Sequence, residues 1–223
     1  MPPPTPHIVI AIDGPAASGK SSVARALARR LKYRYVNTGA MYRAVTWLVV
    51  SRSIPPADTS AVRAMLDSTV FECGFDATGE STILLDGLDP APHLNDASVT
   101  ASVSTIASIP EVRRRLVALQ RACCTEADVV MEGRDIGSAV FPETPYKFYI
   151  DATLEVRAAR RQKQGVTDRI EARDKQDSSR PMSPLIIAED AHVVDSSHLT
   201  IDGVVGEIIG RLKLKSLALP EGI

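Results

Sequence analysis

Ile8-Val9-Ile10-Ala11-Ile12-Asp13-Gly14-Pro15-Ala16-Ala17-Ser18-Gly19-Lys20-Ser21 is the stretch whose reading decides the fold. Its first five residues are all apolar and stop at Asp13-Gly14-Pro15, as a strand buried on both faces of a parallel sheet does. After Lys20 the apolar residues Val23, Leu27 and Leu31 recur every fourth position, with Arg25, Arg29 and Arg30 between them. That spacing predicts an amphipathic helix. Strand, glycine-rich turn and helix, in this order, open an α/β domain. The turn, Gly14 to Ser21, fits G-x-x-x-x-G-K-[ST] without departure. Gly14 and Gly19 permit backbone angles that let successive N–H groups face one concavity, and the following helix adds its N-terminal dipole. Lys20 supplies positive charge for β- and γ-phosphates and Ser21 a hydroxyl for magnesium. The stretch therefore reads as a nucleoside-triphosphate site. What receives the phosphate it does not say, because motors, switches and small-molecule kinases all begin this way.

Outward from it the alternation continues. Asp128 to Glu132, Tyr146 to Ile150 and His192 to Asp195 are further short strand-like runs, separated by helical stretches. Strands alternating with helices predict right-handed crossovers and a parallel sheet covered on both faces. Two segments break the rhythm. Val70 to Phe75 and Thr82 to Asp86 flank Asp76-Ala77-Thr78-Gly79 and predict an inserted hairpin. Arg157 to Ser183 is dense in charge, and reads either as a solvated helix pair or as a lid.

Composition limits the partners. The chain has 223 residues, enough for one well-cored domain, and a formal net charge of −1. No bulk basic field draws it to a nucleic-acid polymer or an anionic membrane, and its few aromatics do not make a base-stacking surface. Cys73, Cys123 and Cys124 form no metal-ligand pattern and read as small buried hydrophobes of a reducing, cytoplasmic compartment. No run reaches the length of a membrane span, and Met1 to Pro6 has neither a basic flank nor an apolar core of a signal sequence. His7, His93, His192 and His198 are scattered and pair with no nucleophile.

Arginines stand at strand ends, loop starts and in the charged segment: Arg43, Arg134, Arg157, Arg161, Arg173 and Arg180. A solvated surface role suits most arginines. Arg134 follows an apolar strand, where ligands bind in open α/β sheets. Asp174 and Asp177 alternate with Arg173, Lys175 and Arg180, which favours charge pairing and substrate contact over a metal site. Thr38 is a candidate both for capping a helix and for touching a nucleotide.

With these residues in view, the chain closely resembles the bacterial cytidylate kinases of the nucleoside monophosphate kinase group. The resemblance runs from Ile8 to about Leu212. It is carried by Ile12-Asp13-Gly14-Pro15, Thr38-Gly39-Ala40-Met41-Tyr42-Arg43, Ile109-Pro110-Glu111-Val112-Arg113, Glu132-Gly133-Arg134-Asp135-Ile136-Gly137, Arg173-Asp174 with Asp177-Ser178 and Arg180, and Ala188-Glu189-Asp190-Ala191. It implies one kinase domain: a core at about residues 7–68, 105–156 and 184–214, a monophosphate-binding insert at about 69–104, and a helical lid at about 157–183. The implied reaction is ATP- and magnesium-dependent phosphorylation of CMP and dCMP by a cytoplasmic monomer.

The resemblance also implies roles. Lys20, Arg134 and Arg180 would be catalytic. Gly14, Pro15, Ala16, Ala17, Ser18, Gly19, Lys20, Ser21 and Ser22 would hold ATP, with Arg157 and Arg161 near it. Arg43 and Arg134 would clamp the acceptor phosphate through planar guanidinium groups. Ser104, Arg113 and Asp135 would read cytosine, whose exocyclic amine suits a carboxylate as uracil's carbonyl does not. Arg173 and Asp177 would reach the ribose, Arg180 the phosphates, and Thr38 the nucleotide. Ser21 would ligate magnesium directly, with Asp13 behind its waters or else holding the loop. Two departures stand out: the lid between Arg161 and Arg173 is short, and Glu132 takes a position where Asp is frequent. The same phosphate loop admits two rival readings. A kinase for another small acceptor, such as UMP, AMP or a non-nucleotide, conflicts with the base-reading set; a switch that hydrolyses ATP conflicts with the second group of arginines.

Overall fold

The computed structural model describes residues 7–163, 170–220 and 222. The proline-rich stretch and residues 164–169, within the segment read as a lid, lie outside the described residues. In chain order the elements are β1 (Val9–Asp13), α1 (Lys20–Leu31), β2 (Arg34–Asn37), α2 (Thr38–Ser51), α3 (Thr59–Ser68), β3 (Phe71–Phe75), β4 (Ser81–Leu85), α4 (Ala97–Ile106) and α5 (Pro110–Ala122). They continue with β5 (Val129–Glu132), β6 (Lys147–Asp151), α6 (Leu154–Lys163), α7 (Ile170–Ser178), β7 (His192–Asp195) and α8 (Ile201–Leu214).

Five strands form a parallel sheet in the order β2-β5-β1-β6-β7. β1 is central and every residue in it is buried, as its unbroken apolar run requires. Because side chains alternate across a strand, Val9 and Ala11 face a core closed by α2, α3, α4 and α5. Ile10 and Ile12 face a second core closed by α1 and α8. The α/β architecture with a parallel sheet and a small antiparallel insert agrees with the sequence reading.

One strand escaped that reading. β2 is the outer strand of the five and its ladder there is with β5, so it needs no apolar run, and Arg34-Tyr35-Val36-Asn37 carries none. The inserted hairpin β3–β4 lies against it: Tyr35 N–H donates to Gly79 O at 2.9 Å, and Asn37 N–H to Ser81 Oγ at 3.1 Å. The hairpin thus occupies an edge that would otherwise offer free backbone groups. Glu80 fastens the same junction by accepting from Arg25 Nε at 2.7 Å.

Two helices run across the approximate limits drawn from the resemblance. The line drawn at residue 104 falls inside α4, which packs extensively on α2 of the core. The charged helix α6 begins at Leu154, ahead of the expected lid limit at 157.

Candidate active site

A cavity of about 610 Å³ opens at the carboxyl ends of the parallel strands, where a doubly wound sheet receives ligands. The phosphate loop forms part of its wall. Gly14 has φ +153°, and a Cβ there would lie 2.1 Å from the Ile150 carbonyl oxygen, so the turn out of β1 accepts only glycine. Gly19 precedes α1 at φ +90°, again a glycine conformation. Ala16, Ala17, Ser18, Gly19, Lys20, Ser21 and Ser22 line the cavity, while Gly14 and Pro15 lie behind the wall.

Lys20 is buried and donates Nζ to Pro15 O at 3.0 Å. Burial, reinforced by the charge of Arg134, lowers its ammonium pKa to about 7. Asp13 lies at the end of β1, outside the cavity wall, and its two oxygens accept the N–H groups of Ile136 and Gly137, each at 2.8 Å. Burial pushes its carboxyl up to about 7, against the pull of those two amides. Glu132 closes β5 inside the cavity wall. Its Oε1 accepts from the Tyr35 hydroxyl at 3.0 Å, and burial raises that phenol far enough to keep it a donor.

Most of the remaining predicted residues come from six places: α2, α4, α5, the loop after β5, α6, and α7 with the turn beyond it. Thr38, Arg43, Ser104, Arg113, Arg134, Asp135, Arg161, Arg173, Asp177 and Arg180 all line the same cavity. Arg113 and Asp135 form an ion pair with side chains only 2% and 6% exposed. The Arg113 guanidinium also lies over the Tyr42 ring, 5.6 Å from its centroid. Ser104 donates to Asp177 at 3.3 Å and not to that pair. Asp177 accepts from Arg134 Nε at 2.9 Å and from Arg180. Arg43 donates to Leu94 O at 2.7 Å and to the Thr100 hydroxyl at 3.0 Å.

Some details differ from expectation. Thr38 does not cap α2; Asn37 does, accepting from Ala40 N–H at 3.0 Å, while Thr38 Oγ1 donates to Glu132 O at 2.7 Å. Arg157 does not line the cavity. It stands behind the phosphate loop, donating to Ala16 O at 3.1 Å and pairing with Asp174, whose carboxylate accepts Ala16 N–H at 3.0 Å. Asp174 and Asp177 are thus each paired with arginine. Arg160 was missed although it shares a helix face with Arg157 and Arg161. It lines the cavity and donates to Ser18 O at 3.1 Å. Ser196, also in the wall, carried no signal in sequence. None of the four histidines lines the cavity.

Comparison with known proteins adds a family. The family model described as cytidylate kinase matches residues 10–214. A curated relative from Corynebacterium glutamicum named cytidylate kinase is 42% identical over 218 residues, covering 92% of this chain and 94% of that one. Another of the same name, from Desulforamulus reducens, is 44% identical over 216 residues, with 92% and 96% covered. A solved structure of an uncharacterized protein from Eubacterium ventriosum shares the fold at a TM-score of 0.51 and 13% identity, covering 93% of this chain and 99% of that one.

Proposed function

This chain belongs to the cytidylate kinase family, and from that premise we propose that it transfers the terminal phosphoryl group of ATP to CMP, and to dCMP, giving the diphosphates and ADP. The observation that carries the reading is that one cavity is lined both by an intact phosphate loop and by the buried Arg113–Asp135 pair. The loop suits a triphosphate; the pair offers a carboxylate for the amine of cytosine.

In this reading the loop amides and Lys20 hold the ATP phosphates, and Arg43, Arg134 and Arg180 hold the acceptor phosphate. Arg161, with Arg157 behind the loop, serves the ATP side. Ser104 and Thr38 complete the nucleotide contacts, and Arg173 and Asp177 face the ribose. Phosphoryl transfer asks chiefly for positioning and charge neutralisation, and the acceptor phosphate is already anionic near neutral pH, so no base is required. Closure of α6 and α7 excludes water, so the phosphoryl group passes to the nucleotide.

Magnesium would neutralise charge on the transferring phosphates. The wall fits such an ion: Ser21 offers a hydroxyl at the start of α1 and Glu132 a carboxylate, hard oxygens of the kind it selects. Asp13, with both oxygens on backbone amides, is better suited to holding the loop after β5. Among the described residues no helix is long and apolar enough to cross a membrane; we take the enzyme to be a cytoplasmic monomer acting on free nucleotides.

The test is to supply ATP and magnesium with CMP, dCMP, UMP or AMP separately and resolve the products. CDP and dCDP should form rapidly, with UMP and AMP poor acceptors. UMP turning over as fast as CMP would remove the base-reading role of Asp135 and leave the kinase.

A further inference from the structure

The Ser18–Gly19 peptide is held from outside the phosphate loop. Ser196, the residue after β7, is 3% exposed and donates its hydroxyl to Ser18 O at 2.7 Å. Arg160 donates to the same oxygen at 3.1 Å, to Ser196 Oγ at 3.0 Å and to Ser196 O at 2.6 Å. Both lone pairs of one carbonyl are therefore engaged by residues 142 and 178 positions away in the chain. The loop's own side chain takes no part, since the buried Ser18 Oγ has no hydrogen-bond partner.

This arrangement has a directional consequence. In a trans peptide the carbonyl and the following N–H point in opposite directions, and the described residues contain no cis bond. Fixing Ser18 O thus fixes the Gly19 N–H, turning it away from Ser196. Glycine has little intrinsic preference among backbone conformations, so nothing within Gly19 holds this peptide plane. Two other loop carbonyls accept from cationic side chains: Lys20 donates to Pro15 O, and Arg157 to Ala16 O. At Ser18 the shorter of the two contacts comes instead from a small neutral side chain.

We propose that Ser196 is a positioning residue for the phosphoryl donor: its hydroxyl, together with Arg160, orients the Gly19 N–H to receive the donor's phosphates. The proposal rests on reading the loop as the ATP site. Preorganised amides bind an anion without the cost of ordering the loop, so loss of the clamp weakens donor binding and leaves the acceptor side untouched.

The test compares ATP and CMP affinities, measured by calorimetry, for the wild-type enzyme, Ser196→Ala and Ser196→Thr, with melting temperatures recorded alongside. Ser196→Ala should bind ATP roughly three- to tenfold more weakly, the scale of one hydrogen bond. It should bind CMP as the wild type does, and Ser196→Thr, which keeps the hydroxyl, should restore ATP affinity. Wild-type ATP affinity in Ser196→Ala would overturn the proposal. So would equal weakening of ATP and CMP, which would make Ser196 an ordinary packing residue. A wild-type chain that binds CMP but not ATP would overturn the reading of the loop, and the clamp with it, before any variant is compared.

Discussion

Asp177, on α7, accepts a hydrogen bond from Arg134 Nε at 2.9 Å across 43 residues of chain, and its other oxygen accepts from Arg180. A carboxylate 2% exposed survives there because it is shared between guanidinium groups. The contact joins α7 to the loop after β5, and so joins two parts of the proposed acceptor site.

Asp177→Asn keeps the shape and removes the charge. Burial alone would raise the Asp177 pKa, but Arg134, Arg180 and Arg173 hold it below the usual carboxylate range. An acid whose pKa is depressed in the fold stabilises it fully at and above the ordinary range, and less as pH falls through the depressed value. The stability gap between wild type and Asp177→Asn, by urea unfolding, should therefore be flat from about pH 5 to 8 and close only in stronger acid. KM for CMP should rise about tenfold or more, since a charge-assisted contact is lost.

Lys20 gives a proton signature. With its pKa lowered to about 7 in the ligand-free site, it is mostly neutral at about pH 8. The phosphates of ATP favour the ammonium form, so binding at that pH should take up close to one proton, and little at pH 6. Calorimetry in buffers of different ionisation enthalpy measures this directly. Lys20→Met should abolish the uptake. Lys20→Ala, shown folded by circular dichroism, should lose turnover by orders of magnitude.

Asp135→Asn tests base choice. It leaves buried Arg113 without its counter-ion, which costs about 3–5 kcal/mol when a buried pair is broken. It also adds an amide donor toward the base. The ratio of kcat/KM for CMP over UMP should fall roughly ten- to a hundredfold, the worth of a bidentate base contact. Parallel initial-rate series with the two acceptors read it.

Asp13→Asn should destabilise the enzyme without changing which nucleotide it prefers. Two backbone N–H groups point at the carboxylate, and an amide offers one oxygen for both. The unpaired donor should cost about 1–3 kcal/mol, seen in urea midpoints.

Sequence alone was informative where chemistry is local. Ile8 to Ser21 could be read because a strand buried on both faces must be apolar throughout and a phosphate loop must place its glycines. β2 was hidden because an edge strand covered by a hairpin needs no such run. Asn37 took the capping role assigned to Thr38, one residue away, a difference that boundary reading rarely resolves. Arg113 and Asp135 could be named only through the family resemblance; nothing in their spacing announces a buried pair. Ser196 and Arg160 meet Ser18 through chain folding alone, and a serine after a strand has no pattern to distinguish it.

The most direct measurement follows ATP, magnesium and CMP by phosphorus NMR in one tube. ADP and CDP should accumulate in equal amounts, with no free phosphate and no ATP consumed until CMP is added. Release of free phosphate with no CDP formed would contradict the account and make the loop part of a hydrolytic switch.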